Sequence, residues 1–267
     1  MVILRENSIF SHNTHNMRSL ISSYTGMETS ISNEKLRSIA GALLNNLYLD
    51  QEVPKEKLAE LTFESEFQSL LEPQEKLIKM SKKEHIDSFF KDGTLRLGTF
   101  KDYQKSENEE IGDKSEGCLL VIGRNSKRTG IAHISSGFNN FVFCCFDGEA
   151  DQTLVGKFDY DDYFFIDNPN GFAQAIADRL PCPNIYRSRC VYRNDKVLVG
   201  TPPPNFNFYK MSHELRNLVN WGQYFIKPVR FSHQKEYRFI WELDEDIDEP
   251  FLMKCPEAVE YCSRPAY

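Results

Sequence analysis

The sequence predicts an α+β domain with mainly antiparallel strands, carrying a helical extension at its N-terminus. Three observations predict it. From residue 76 onward, short aromatic and β-branched runs outnumber helical patterns. Those runs do not alternate with helices in the manner of βαβ units. Before residue 76 the only clear apolar periodicity is helical.

The elements follow in order. Residues 1–32 are rich in Ser, Asn, Thr and His without periodicity and read as loop or tail. Leu36, Ile39, Leu43, Leu44 and Leu47 recur at helical spacing after Ser32 or Asn33 as N-cap. Pro54 opens a second helix with Leu58, Leu61 and Phe67 on its apolar face, and Pro73 ends it. No strand is expected before about residue 76, so residues 1–72 form a tail and helical extension and residues 73–267 the main domain. There LIKM (77–80) is a strand. Ser81 and Glu84 form an S-x-x-E capping box for a helix with Ile86, Phe89 and Phe90 on its apolar face, and Gly93 stops it. TLRLGTF follows as a strand, with Arg96 on the face opposite Leu95 and Leu97. GFNNFVFCCFD reads as a buried strand, Asp159–Ile166 as partly extended, and Pro169–Leu180 as a helix. CVYRNDKVLVG reads as a hairpin turning at Asn194-Asp195. TPPPNFNF is a loop, His213–Ile226 helical, and Phe239–Leu243 a last strand.

Composition bounds the function. With 267 residues, 20 Phe and 12 Tyr, the chain has ample material for a buried core. A net charge of −7 supplies no global basic field, which argues against unspecific coating of nucleic acid. The longest apolar run, FVFCCF, is far too short for a membrane span, and MVIL before Arg5 is too short for a secretory signal. Seven cysteines without C-x-x-C spacing read as free thiols in a reducing cytoplasm, and no histidine stands at zinc-ligand spacing from a cysteine pair.

Phosphate-binding, dinucleotide-binding, nucleophile-elbow and zincin motifs are all missing from the sequence. Two dense polar stretches remain. One runs from Ser81 to Gly117 and contains GTLRLGTFKDYQKSE and IGDKSEG; the other is FSHQKEYRFIWEL, with Gln-x-Glu at 234–236 and E-Y-R-F at 236–239. Over residues 76–243 this order resembles the ADP-ribosyltransferase superfamily, and in particular its divergent bacterial members. The resemblance implies a mainly antiparallel split sheet and transfer of ADP-ribose from NAD, as substrate, to a macromolecular acceptor. It also implies the setting of a bacterial toxin or anti-phage effector restrained by an antitoxin.

The chemistry of that reading is coherent. Cleaving the nicotinamide glycosidic bond creates an oxocarbenium-like ribose, which a nearby carboxylate stabilises. The resemblance puts Glu236 in that role, and strand alternation would set Gln234 beside it to orient the acceptor. Arg96 and Arg238 are the candidates for the diphosphate, because a guanidinium matches phosphate oxygens. Tyr103 offers a π face for nicotinamide, and Thr99 a ribose contact. Where many family members carry His or Arg on the first strand and Ser-Thr-Ser on the middle one, this chain has Lys79 and Phe143-Cys144-Cys145-Phe146.

Two other readings stand beside it. A catalytically inactive module of the same fold would bind a partner. Glu107, Glu109, Glu110, Asp113 and Glu116 would suit Mg²⁺ in a metal-dependent nuclease. Lys82, Lys83, Arg187, Arg189 and Arg193 are a candidate patch for a short RNA or DNA acceptor; the alternative acceptor is a protein side chain.

Overall fold

A computed structural model describes residues 5–9, 20–27, 72–73, 76–108, 110–124, 128–135, 138–149, 152–182, 184–193, 196–200, 221–247 and 249–265. The strands are β1 (Arg5–Ile9), β2 (Leu20–Met27), β3 (Leu77–Ser81), β4 (Thr94–Thr99), β5 (Cys118–Arg124), β6 (Arg128–Ser135), β7 (Asn140–Asp147), β8 (Asp162–Ile166), β9 (Asn184–Arg189), β10 (Val191–Arg193), β11 (Val197–Gly200), β12 (Ile226–Pro228), β13 (Glu236–Glu242), β14 (Phe251–Lys254) and β15 (Cys262–Ser263). The helices are α1 (Lys83–Asp92), α2 (Phe100–Lys105), α3 (Gln152–Lys157), α4 (Pro169–Ala177) and α5 (Pro256–Val259). A 3₁₀ helix spans Val229–Gln234. The fold is mixed α+β with mainly antiparallel sheets.

The chain divides into two compact units, each discontinuous in sequence. One takes residues 1–69, 114–136 and 193–228; the other takes 70–113, 137–192 and 229–267. The cut after residue 69 falls beside the expected boundary at 72, but composition gave no hint that two later segments join the first unit. The helices expected over 33–71 lie outside the described residues.

The first unit carries a sheet ordered β1-β2-β6-β5-β11. Residues 1–32 therefore contain two strands where a loop was expected. All eight residues of β2 pair with β6, from Leu20↔Ser135 to Met27↔Arg128. Two serines interrupt the apolar alternation of LISSYTGM, so the strand follows from its partner rather than from its own pattern. The hairpin expected around Asn194-Asp195 is also corrected: β11 pairs in parallel with β5.

The second unit is built on an eight-stranded antiparallel sheet. At its centre β13 pairs with β7 on one side and β9 on the other. On its far edge β7 meets two strands at different heights. Gly98 and Thr99 of β4 face Val142 and Phe141, while Leu77 and Ile78 of β3 face Asp147 and Phe146. The sheet thus forks at β7. One arm continues through β8 to β15 and the other through β14. Between the arms, Lys79 Nζ donates to the Cys144 carbonyl at 2.9 Å, so its ammonium satisfies an acceptor that a neighbouring strand would otherwise take.

One face of this sheet is the main core. Leu77, Leu95, Leu97, Phe143, Phe239 and Trp241 pack there with Ile86 and Phe89 of α1 and Phe172 and Ile176 of α4. Trp241 is fully buried and its indole N–H donates to the Ala173 carbonyl at 3.0 Å, which joins α4 to the central strand. The expected capping box does not form. Ser81 is the last residue of β3, and the first turn of α1 is capped instead by Asp161, whose carboxylate accepts from Lys83 N–H at 2.6 Å. Gly93 ends α1 as expected, with φ 75°; a Cβ there would fall 2.3 Å from the Cys255 backbone. No helix among the described residues is long and apolar enough to cross a membrane.

Candidate functional site

Directly opposed residues in an antiparallel pair share a face. Arg238↔Cys144 and Glu236↔Phe146 put Glu236, Arg238, Cys144 and Phe146 together, opposite the main core. Gly98↔Val142 adds Gly98 to that face, and Arg96 is two residues away on the same strand.

A polar cluster forms there. Arg238 Nε donates to Glu236 Oε1, and the two residues are 1% and 6% exposed. The Arg238 guanidinium lies 5.9 Å from the centroid of the Phe100 ring. α2 follows directly after β4, so it delivers Tyr103 to the same place: a Cβ on Gly98 would come within 3.0 Å of the Tyr103 hydroxyl. Glycine at 98 therefore keeps the space that this hydroxyl occupies. Burial raises the Tyr103 pKa most, with further contributions from the Cys144 thiol, to which it is hydrogen-bonded, and from the negative charge of Glu236. Tyr192 completes the group. Its hydroxyl accepts the Glu236 backbone N–H at 2.7 Å, at the strand end just beyond the β9 ladder. Its pKa is also raised, by burial first. Both phenols stay protonated at neutral pH and can donate hydrogen bonds beside a carboxylate fixed by a guanidinium.

The expected site residues meet different fates. Glu236, Arg238 and Tyr103 converge. Arg96 lies on the rim: its side chain is 54% exposed and pairs with Asp102 at 2.7 Å, one residue from Tyr103. Thr99 pairs with Phe141 on the core-facing side, is fully buried, and caps α2 by accepting Asp102 N–H at 3.1 Å. Lys79 is also on the core side, in register with Leu77, with its ammonium 4.3 Å from the Phe143 ring centroid. Gln234 does not stand beside Glu236 on a strand. It ends the 3₁₀ helix, and Lys235 at φ 40° breaks the alternation that the pairing required. Its side-chain N–H donates to the Glu110 carbonyl at 2.5 Å.

The acidic run is dispersed within this framework. Glu110 accepts from or pairs with His233 at 2.7 Å, which lowers its pKa. Glu116 belongs to the other unit, where it lies 3.8 Å from buried Lys227. No group of three or more His, Cys, Asp or Glu suited to a metal ion is found among the described residues. The basic patch is engaged in local pairs: Lys82 with Asp159, Lys83 with Asp87, and Arg187 with Glu72. Arg187 further donates to the Tyr237 hydroxyl at 3.0 Å.

Sequence reasoning missed Tyr192 and Cys144 as members of the cluster. The sequence does not show which residue opposes Cys144 across β7 and β13, so neither stood out. The cap at Thr99 and the short helix after it were also missed, although Thr-x-x-Asp at 99–102 carried the signal.

Comparison of the chain with known protein families, with curated proteins and with solved structures finds no match.

Proposed function

We propose that the protein is a mono-ADP-ribosyltransferase that takes ADP-ribose from NAD to a macromolecular acceptor. The observation that supports this most is the convergence of Glu236, Arg238 and Tyr103 on one sheet face beside the fork at β7. A dissociating nicotinamide leaves positive charge on the ribose. In this reading Glu236 holds the 2′-hydroxyl and stabilises that charge once a ligand reaches it. Arg238 fixes the carboxylate in one rotamer, so little reorganisation is needed as charge develops. Tyr103 supplies the ring for nicotinamide, and Arg96, exposed on the rim, the guanidinium for the diphosphate.

The acceptor class is either a nucleic acid or a protein side chain, and the setting is that of a bacterial toxin or anti-phage effector with a restraining partner. Seven free cysteines suit a reducing cytoplasm. A second reading, a binding module of the same fold without turnover, draws support from the low exposure of Glu236 and its ion pair with Arg238.

The test is direct. Purified protein is incubated with NAD labelled on the adenylate, and nicotinamide release and label transfer to RNA, DNA and protein are measured. Turnover that falls at least about 100-fold in Glu236→Gln with folding retained supports the transferase. No NAD consumption by any preparation, with or without candidate acceptors, leaves the binding module.

A further inference from the structure

The Glu236 carboxylate is closed off. At 6% exposure, and with Arg238 at 1%, it has no surface to offer a ribose. Any ligand that reaches it requires part of its surroundings to move. Its neighbours among the described residues include strands of the central sheet and the phenols of Tyr103 and Tyr192. One neighbouring element is held differently.

The segment Glu110–Asp113 returns from α2 toward the 3₁₀ helix that precedes Glu236. Its own turn is tight: Ile111 and Gly112 N–H both donate to the Asn108 carbonyl, at 3.1 and 2.7 Å, and Glu110 N–H donates to the Asn108 side chain at 2.9 Å. At one end Asp113 N–H donates to the Tyr103 carbonyl at 3.3 Å. At the other, Glu110 takes the Gln234 side-chain N–H on its carbonyl and pairs with His233 through its carboxylate. The segment therefore bridges the element that carries Tyr103 and the turn that sets Glu236.

Its tip is fastened by one buried side chain, Gln234 at 6% exposure, and by one ion pair in contact with water. His233 and Glu110 side chains are 40% and 32% exposed. Such bonds open at low cost compared with buried ladders. Lys235, between the fastened Gln234 and Glu236, sits at φ 40°, a conformation that favours glycine.

We infer that Glu110, His233 and Gln234 form an autoinhibitory latch, and that the strap Glu110–Asp113 must release for a ligand to reach Glu236. The inference deepens the function proposed above and rests on it for the consequence of opening, though not for the opening itself.

Backbone hydrogen exchange tests it in the full-length protein, comparing the native sequence with Glu110→Ala and His233→Ala. Amides of 110–113 and of Glu236 are expected to exchange roughly tenfold faster in both variants, with β7 amides unchanged. Glu110→Gln, which keeps the shape and removes the charge, serves if Glu110→Ala also loses β7 protection. Unchanged exchange over 110–113, or faster exchange there without any change at Glu236, overturns the latch. NAD turnover, measured on the same proteins, is expected to rise in the variants. Faster exchange at both places with no NAD turnover in any of the proteins upholds the latch and removes the transferase reading.

Discussion

The two faces of the eight-stranded sheet solve different problems with the same strands. On one face, alternate residues of β7 and β13 are Phe143, Cys145, Phe239 and Trp241, and they pack against α1 and α4. The Phe239 and Trp241 rings lie 6.0 Å apart and nearly parallel, and Phe172 meets Phe239 edge-on at 5.4 Å. On the other face, the intervening positions set Cys144, Glu236, Arg238 and Glu242 among the apolar Val142, Phe146 and Ile240. The charged three are as well buried, yet each needs a partner: Glu236 has Arg238, and Glu242 has the Asn184 amide and the Tyr186 hydroxyl at 3.2 and 3.0 Å. The aromatic face is stabilised by area removed from water. The polar face is specified by pairing, and removing one partner costs more than either contact contributes.

That contrast can be broken from either side. Phe239→Ala is expected to cost about 3–5 kcal/mol by cavity formation, read as a lower denaturant midpoint with an unchanged slope. Arg238→Ala should cost a similar 3–5 kcal/mol, because the Glu236 charge stays buried without its guanidinium. The sharper form is the double variant Glu236→Leu/Arg238→Met, which is expected to regain most of that loss. No recovery would mean that the polar face is held by something other than this pair.

Smaller effects refine the picture. Thr99→Ala removes the cap of α2 and is expected to lower stability by about 1 kcal/mol, while loosening the helix that carries Tyr103. Arg96→Ala breaks only an exposed pair with Asp102 and should cost less than about 1 kcal/mol; if the rim assignment holds, its effect is on NAD affinity instead.

The pH dependence has a definite sign. His233 hydrogen-bonds Glu110 and lowers its pKa below 4.5. A lowered carboxylate contributes stability that is present above its unfolded pKa and lost as pH falls through the folded value. Protection of 110–113 against exchange should therefore weaken as pH drops below about 4.5. A strap equally protected well below that pH would show that the Gln234 contact holds it alone.

Much of the second unit was legible in the sequence because it rests on local rules. The helix stop at Gly93 follows from the αL conformation that glycine tolerates, and the helix read over 169–180 does start at Pro169, although it ends earlier, at Ala177, and its Asn168 cap was not read. β7 was readable as a buried strand from NFVFCCFD alone. The late glutamate, its neighbouring arginine and Tyr103 were named from the chain; the first two pair, and the charge of Glu236 reaches Tyr103.

What the chain did not reveal depends on pairing between distant segments. β2 is a strand because β6 lies along it, and β11 joins β5 rather than turning back on β10, since backbone ladders accept many side chains and the partner decides. The fork at β7, the tertiary cap from Asp161, the Tyr192 hydroxyl on the Glu236 amide and the break at Lys235 all arise the same way. Side-chain types and periods are local quantities, fixed along the chain. Register and face are relations between strands, and only the assembled sheet sets them.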